Sequence, residues 1–205
     1  MNSCNNGMYF QVRRKELYLW VIRTPSGPSA LFHIQNVHTK DELKLTGNCL
    51  KGSRPMLSFD ASFDEDPHMQ VVKELLTQVM GTPQNHPKSK PFVDHVFSFN
   101  SFDGRIWFRN YQVIDKTDQE DKENPLNLVE IGPRFCMQLV KIFEGSMSGR
   151  TLYKNPGFLT KSKARKMNAE KSKYAERTSK KRSRKEYEKQ AEYEEDELNE
   201  IFQEQ

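Results

Sequence analysis

From Lys161 to Gln205 the sequence contains neither glycine nor proline, and its large apolar residues are sparse. Lys, Glu, Ala, Arg and Gln favour helix there, but such a stretch cannot bury a core. Any packed body must therefore come from the residues before it. Charge divides the chain the same way. Residues 151–185 carry 13 basic and 2 acidic side chains, residues 186–205 carry 1 and 9, and residues 1–150 carry 18 and 17. The pattern predicts a near-neutral folded body, a basic helical or extended arm over 161–185, and an acidic helix over 186–203. Tyr187, Ala191, Leu198 and Phe202 would share one side of that last helix, which could dock on a partner.

The body reads as short strands and one helix, an α/β (α+β) fold. Met8 to Val12 alternates as a strand, Leu17 to Ile22 is apolar without a clear period, and residues 24–28 compose a turn. Ala30 to Val37 alternates, with Phe32 and Ile34 on one face and Leu31 and His33 on the other. The helix spans 67–80. Asp66 is its N-cap, Pro67 suits the first turn, and Met69, Val72, Leu75, Leu76 and Val79 form one apolar stripe. Gly81 is expected to close it in the left-handed conformation, with Pro83 barring continuation. A hairpin follows: Val93 to Asn100, a tight turn at Asp103-Gly104, and Arg105 to Ile114. On the second strand Trp107, Arg109, Tyr111 and Val113 face away from Ile106 and Phe108. Residues 115–127 are a polar, mostly acidic loop, and Leu128 to Ile131 and Phe135 to Phe143 read as two strands, or as one bent strand, around Gly132-Pro133. Residues 27–34 and 132–139 echo each other, each a Gly-Pro leading into a strand, which is thin evidence for duplication.

Several chemistries lack their residues. No apolar run reaches the roughly 18–20 residues of a membrane helix. The start has no charged segment followed by an apolar one, as a secretory signal would. Cys4, Cys49 and Cys136 are odd in number and far apart, which suits thiols in a reducing compartment. His33, His38, His68, His86 and His95 show no metal-ligand spacing, so no metal and no cofactor are expected. No nucleophile elbow, phosphate loop or dinucleotide fingerprint occurs, and no catalytic residues are assigned. Cations are better placed. Lys161, Lys163, Arg165 and Lys166, then Lys180, Lys181, Arg182, Arg184 and Lys185, are dense enough to neutralise phosphates or to act as a nuclear address. In the body Lys44, Lys51, Arg54, Lys88 and Lys90 form a second set, and Arg105 and Arg109 interleave with Trp107 and Tyr111 as in base-stacking surfaces. Cross-strand packing with extended arginine stems explains the last group equally well.

Longer strings carry a resemblance. Gly27-Pro28-Ser29-Ala30, residues 46–55 (TGNCLKGSRP), 91–97 (PFVDHVF), 105–110 (RIWFRN) and 129–135 (VEIGPRF) are similar to the Brix-domain family over about residues 2–156. The resemblance implies two α/β halves, each like the anticodon-binding domain of some aminoacyl-tRNA synthetases. It also implies non-catalytic binding of pre-ribosomal RNA and of other assembly factors during biogenesis of the large (60S) ribosomal subunit, in the nucleus and nucleolus. No membrane and no small-molecule substrate are implied. Arg134, in the last string, joins the expected RNA contacts. The division expected is 1–47 as the remnant of an N-terminal half, 48–156 as the C-terminal half and 157–205 as a tail. Such domains begin with a longer segment, so the chain is expected to be a fragment or to have a reduced first half, with strand faces in 8–47 partly uncovered. Two other roles compete: a protein-interaction adaptor whose basic arm is only an address, and a small-subunit assembly factor of the same family.

Overall fold

The computed structural model describes residues 4–82, 86–87, 89–90, 92–115 and 126–192. The chain divides into two compact units, Met1–Phe158 and Leu159–Gln205. The first is built on one nine-stranded sheet, in the order β1-β2-β3-β8-β6-β5-β4, with β7 beside β6 and β9 beside β8.

The first three strands, β1 (Asn6–Arg13), β2 (Glu16–Arg23) and β3 (Ser29–His38), form an antiparallel meander. A short α1 (Lys40–Leu43) follows. The edge strand β4 (Arg54–Phe59) runs parallel to β5 (Val93–Phe102), and the crossover between them carries a 3-10 turn (Ala61–Phe63) and α2 (Pro67–Met80). Parallel neighbours require such a crossover. Hairpin β5–β6 (Arg105–Asp115) turns at Asp103 and Gly104, both with positive φ (53° and 65°), the requirement of a two-residue primed turn. Then come β7 (Leu126–Glu130), β8 (Arg134–Phe143) and β9 (Thr151–Lys154). The chain expected to loop at 126–127 already belongs to β7, and residues 116–125 lie outside the described residues, as does Pro83.

The expected helix has its expected bounds, and its stripe is buried at Met69, Val72, Leu75 and Leu76. Asp66 occupies the cap position without a side-chain hydrogen bond. The expectation for Gly81 is corrected. Its φ and ψ are −72° and 152°, so the chain leaves the helix extended, with the Gly81 N–H still donating to the Thr77 carbonyl. No left-handed residue is needed when the exit is straight.

Alternation assigns the faces. Leu19 and Val21, Ala30, Phe32 and Ile34, Ile106 and Phe108, and Phe135, Met137 and Leu139 all point to the side that α2 and Phe63 cover, in one cluster with Phe99. On β2 and β3 the inward residues Leu19, Val21, Ala30, Phe32 and Ile34 are covered, against the expectation of partly uncovered faces, whereas Val37 near the end of β3 is exposed. On β1 the expectation holds, since Tyr9, Phe10 and Val12 are 52%, 47% and 76% exposed. The two echoed segments turn out to be spatial neighbours. β3 and β8 pair antiparallel over their length, each entered through a Gly-Pro whose glycine has positive φ (86° and 78°).

In the second unit α3 (Lys161–Glu192) is one continuous helix, with the Thr160 hydroxyl accepting from the Lys163 N–H at its start. It crosses the expected boundary at 185/186 without a break. Leu198 and Phe202 lie outside the described residues.

The core makes a direct demand on stability. Phe99→Ala removes a wholly buried ring from the centre of the cluster and should cost about 3–5 kcal/mol. Val12→Ala on the exposed edge should stay within about 0.5 kcal/mol. Urea unfolding of both variants checks the contrast.

Candidate nucleic-acid interface

Apart from Lys44 and Lys88, the structure sorts the expected cations into three places. Arg105 and Arg109 lie on the sheet face opposite α2, because their neighbours Ile106 and Phe108 point into the core. Arg134 opens β8 and turns to the same region. Glu130 dominates there. Its carboxylate accepts from Arg134 Nε at 2.9 Å and Nη2 at 2.7 Å, and Arg109 Nε stands 3.8 Å from it. The Arg109 guanidinium also lies over the Trp107 ring, 5.5 Å from its centroid. Two of the three arginines therefore have an internal carboxylate, and Arg109 also rests on the ring of Trp107, whose Nε1 is buried with no hydrogen-bond partner among the described residues. Nearby Cys136 is buried, and burial pushes its thiol up despite Arg109 and Arg105 beside it.

The second place is the sheet edge at β4. Lys51 is exposed in the turn before β4, and Arg54 is its first residue. Lys90 is exposed, and its backbone N–H donates to the Gly52 carbonyl at 2.7 Å, so the two loops are stitched together. Lys88 lies outside the described residues. Lys44 stands elsewhere, as the left-handed C-cap of α1.

A polar network that the sequence did not reveal holds the Lys51 turn. Asp94 Oδ2 accepts from the Leu50 N–H at 2.7 Å, and Asp94 Oδ1 lies 2.6 Å from His95 Nδ1. Ser53 Oγ donates to the Leu50 carbonyl at 2.8 Å and sits 3.3 Å from the same imidazole nitrogen. A carboxylate only accepts, so Nδ1 carries the proton toward Asp94. Serine, histidine and aspartate meet here, but both partners approach one ring nitrogen. A relay needs the two on opposite nitrogens, so the set positions a loop and does not activate a nucleophile. Burial works against the Asp94 carboxylate, but the hydrogen bonds from His95 and the Leu50 amide outweigh it and bring its pKa down to about 2. The spacing could not show this, because the parallel pairing of β4 with β5 is what brings residues 50–53 to residues 94–95.

The third place is α3. Lys163, Arg165, Lys166, Lys180, Lys181, Arg182, Arg184 and Lys185 are all exposed on it, and Lys161 is its first residue. At 3.6 residues per turn, Lys163, Lys166, Lys173, Arg177, Lys180, Lys181 and Arg184 fall on one side, interrupted by Glu170. Lys180 and Arg184 pair with Glu176 and Glu188 at 3.0 and 2.9 Å. Exposed pairs of this kind are worth only about 0.3–0.5 kcal/mol and are readily exchanged for a phosphate.

The Brix domain profile matches residues 1–141. The chain belongs to the Brix-domain family. Its relatives include the ribosome biogenesis protein BRX1 homologs of Homo sapiens, 57% identical over 159 residues, and of Xenopus laevis, 54% identical over 168 residues. These alignments cover 77% and 82% of this chain but 43% and 47% of the relatives. The homolog of Drosophila melanogaster is 50% identical over 186 residues, 88% of this chain and 50% of its own length. This Brix chain thus spans about half the length of the curated relatives it matches. The profile includes the Asp94–His95 network and the Glu130–Arg134 pair and ends before α3.

Asp94 supplies a pH test. Its folded pKa of about 2 lies below the ordinary 3.8, so its contribution to stability is complete above about pH 4 and is lost as pH falls through 2. The stability gap between the wild type and Asp94→Asn should be constant near neutrality and shrink on acidification. Urea titrations between pH 7 and 2 measure it, and a gap that widens in acid contradicts the network.

Proposed function

We propose that this Brix chain binds pre-ribosomal RNA and serves, without a catalytic step, in assembly of the large (60S) ribosomal subunit in the nucleolus. The observation that carries the reading is the cationic side of α3. Seven Lys and Arg residues from Lys163 to Arg184 span about 32 Å at 1.5 Å per residue, a rod suited to lie along a phosphate backbone. The name of the relatives, ribosome biogenesis proteins, supports the process. The body then acts as a platform whose loops orient further cations, and the clustered charges at 180–185 double as a nuclear address.

Protein contact is the second reading, and β1 favours it. An edge strand with Tyr9, Phe10 and Val12 exposed can accept another strand from an assembly factor. The two readings separate by nuclease treatment, which abolishes association with pre-ribosomes held by RNA and leaves association held by protein.

Filter binding to large-subunit precursor RNA tests the main reading. Each phosphate neutralised contributes about 0.7–0.9 to the slope of log K against log salt. Replacing Lys166, Lys173, Arg177, Lys180 and Arg184 with glutamine should therefore reduce the slope by about 4. An unchanged slope removes α3 from the contact, and equal affinity for small-subunit precursor removes the large-subunit assignment.

A further inference from the structure

Two serines lie inside the densest run of cations on α3. Ser179 and Ser183 stand one helical turn apart in residues 177–185 (RTSKKRSRK), where six of nine side chains are Lys or Arg and none is acidic. Both serines are exposed. The Ser183 hydroxyl donates to the Ser179 carbonyl at 3.2 Å, a bond inside the helix that joins no other element. The body uses serines for its own fold instead. Ser29 is wholly buried and donates to the Gly145 carbonyl at 2.7 Å, and Ser53 donates to the Leu50 carbonyl at 2.8 Å. The two serines of α3 have no such duty, and their hydroxyls stand open to solvent among positive charges.

Helical spacing decides what a phosphate there would meet. Ser183 is three residues from Lys180 and Ser179 is three from Arg182, so each hydroxyl neighbours a cation of the same helix. A phosphoserine brings a charge of about −1.5 to −2 and three strong acceptor oxygens. Two of them nearly cancel the four cations between Lys180 and Arg184. Lys180 now pairs with Glu176 at 3.0 Å, an exposed contact that a doubly charged phosphate displaces. The body shows the same neutralisation in permanent form, where Glu130 stands between Arg109 and Arg134. On α3 it would be reversible.

Resting on the RNA-binding reading, we infer that Ser179 and Ser183 are phosphorylation sites for a protein kinase that selects hydroxyls among cations, and that their phosphates release α3 from RNA. The step is a phosphoryl transfer from ATP. A bond forms between the serine oxygen and the γ-phosphorus, the bond from that phosphorus to the bridging oxygen of ADP breaks, and the hydroxyl proton passes to a base of the kinase. Nothing is oxidised or reduced.

The test has two arms, both on the full chain. In the first, the chain is incubated with magnesium ATP and the catalytic subunit of a serine kinase directed to basic sequences, and the products are mapped by mass spectrometry. Phosphate should appear on Ser179 and Ser183 ahead of every serine of the body. In the second, a chain made with phosphoserine at both positions is compared with the unmodified chain in filter binding to large-subunit precursor RNA. Its affinity should be about tenfold or more lower at about 0.1 M salt, and its slope of log K against log salt lower by about 2–3. Phosphatase should restore both. The double variant Ser179→Ala, Ser183→Ala should bind RNA as the wild type does and no longer respond to the kinase. Absence of phosphate from both serines overturns the inference. Equal slopes for the phosphorylated and unmodified chains overturn it too and leave the RNA reading standing. An unmodified chain whose binding has no salt slope overturns the RNA reading itself, a result the kinase arm cannot produce.

Discussion

The apolar stripe of α2 closes over a single sheet face, and the rest of the body depends on that burial. Val72 and Leu76 are wholly excluded from water, as are Leu19, Val21, Ala30, Phe63, Phe99 and Met137 around them. Strands from both ends of the sheet meet in this one cluster, so a crossover helix between β4 and β5 also secures the β2–β3 hairpin. The opposite face needs no helix of its own unit. Its long side chains are half-buried by packing on one another, as Trp20 does on Phe143 and Arg109 on Trp107.

With the core on one side, the cations take distinct roles. Those within the sheet are partly used by the fold, and Glu130 is the reason, since a carboxylate between Arg109 and Arg134 leaves little net charge for a ligand. The cations at the loops and along α3 have no such strong internal claim. Lys51 projects from a turn fixed by Asp94, and the pairs on α3 are solvent-screened. The body therefore contributes geometry and the helix contributes charge.

Legibility followed the same division. Alternation put Phe32 with Ile34, and Ile106 with Phe108, on shared faces because period-two patterning is a property of neighbouring residues, and the fold shows those faces to be the buried ones. The α2 stripe was legible for the corresponding period of 3.6. The strand β4 was not, since Arg54-Pro55 opens it and proline in a strand is tolerated chiefly at an edge, which is where β4 lies. Four-residue β9 is too short to show a pattern. The Glu130–Arg109 approach and the Asp94–Leu50 bond depend on strand pairings between distant segments, so neither the carboxylate beside Arg109 nor the anchoring of the Lys51 turn was legible in the spacing. The continuity of α3 past residue 185 was also missed, because a change in the sign of charge does not interrupt a run of good helix formers.

On the proposed function, this Brix chain meets RNA through α3 and the loops at the β4 edge, and not through the covered face of its sheet. Ultraviolet cross-linking of the chain to pre-ribosomal particles, followed by peptide mass spectrometry, tests that most directly. Nucleotide-bearing peptides should come from residues 50–54, 86–90 and 161–185. Recovery of protein-only cross-links, or of nucleotides confined to peptides of β1 and α2, would contradict it.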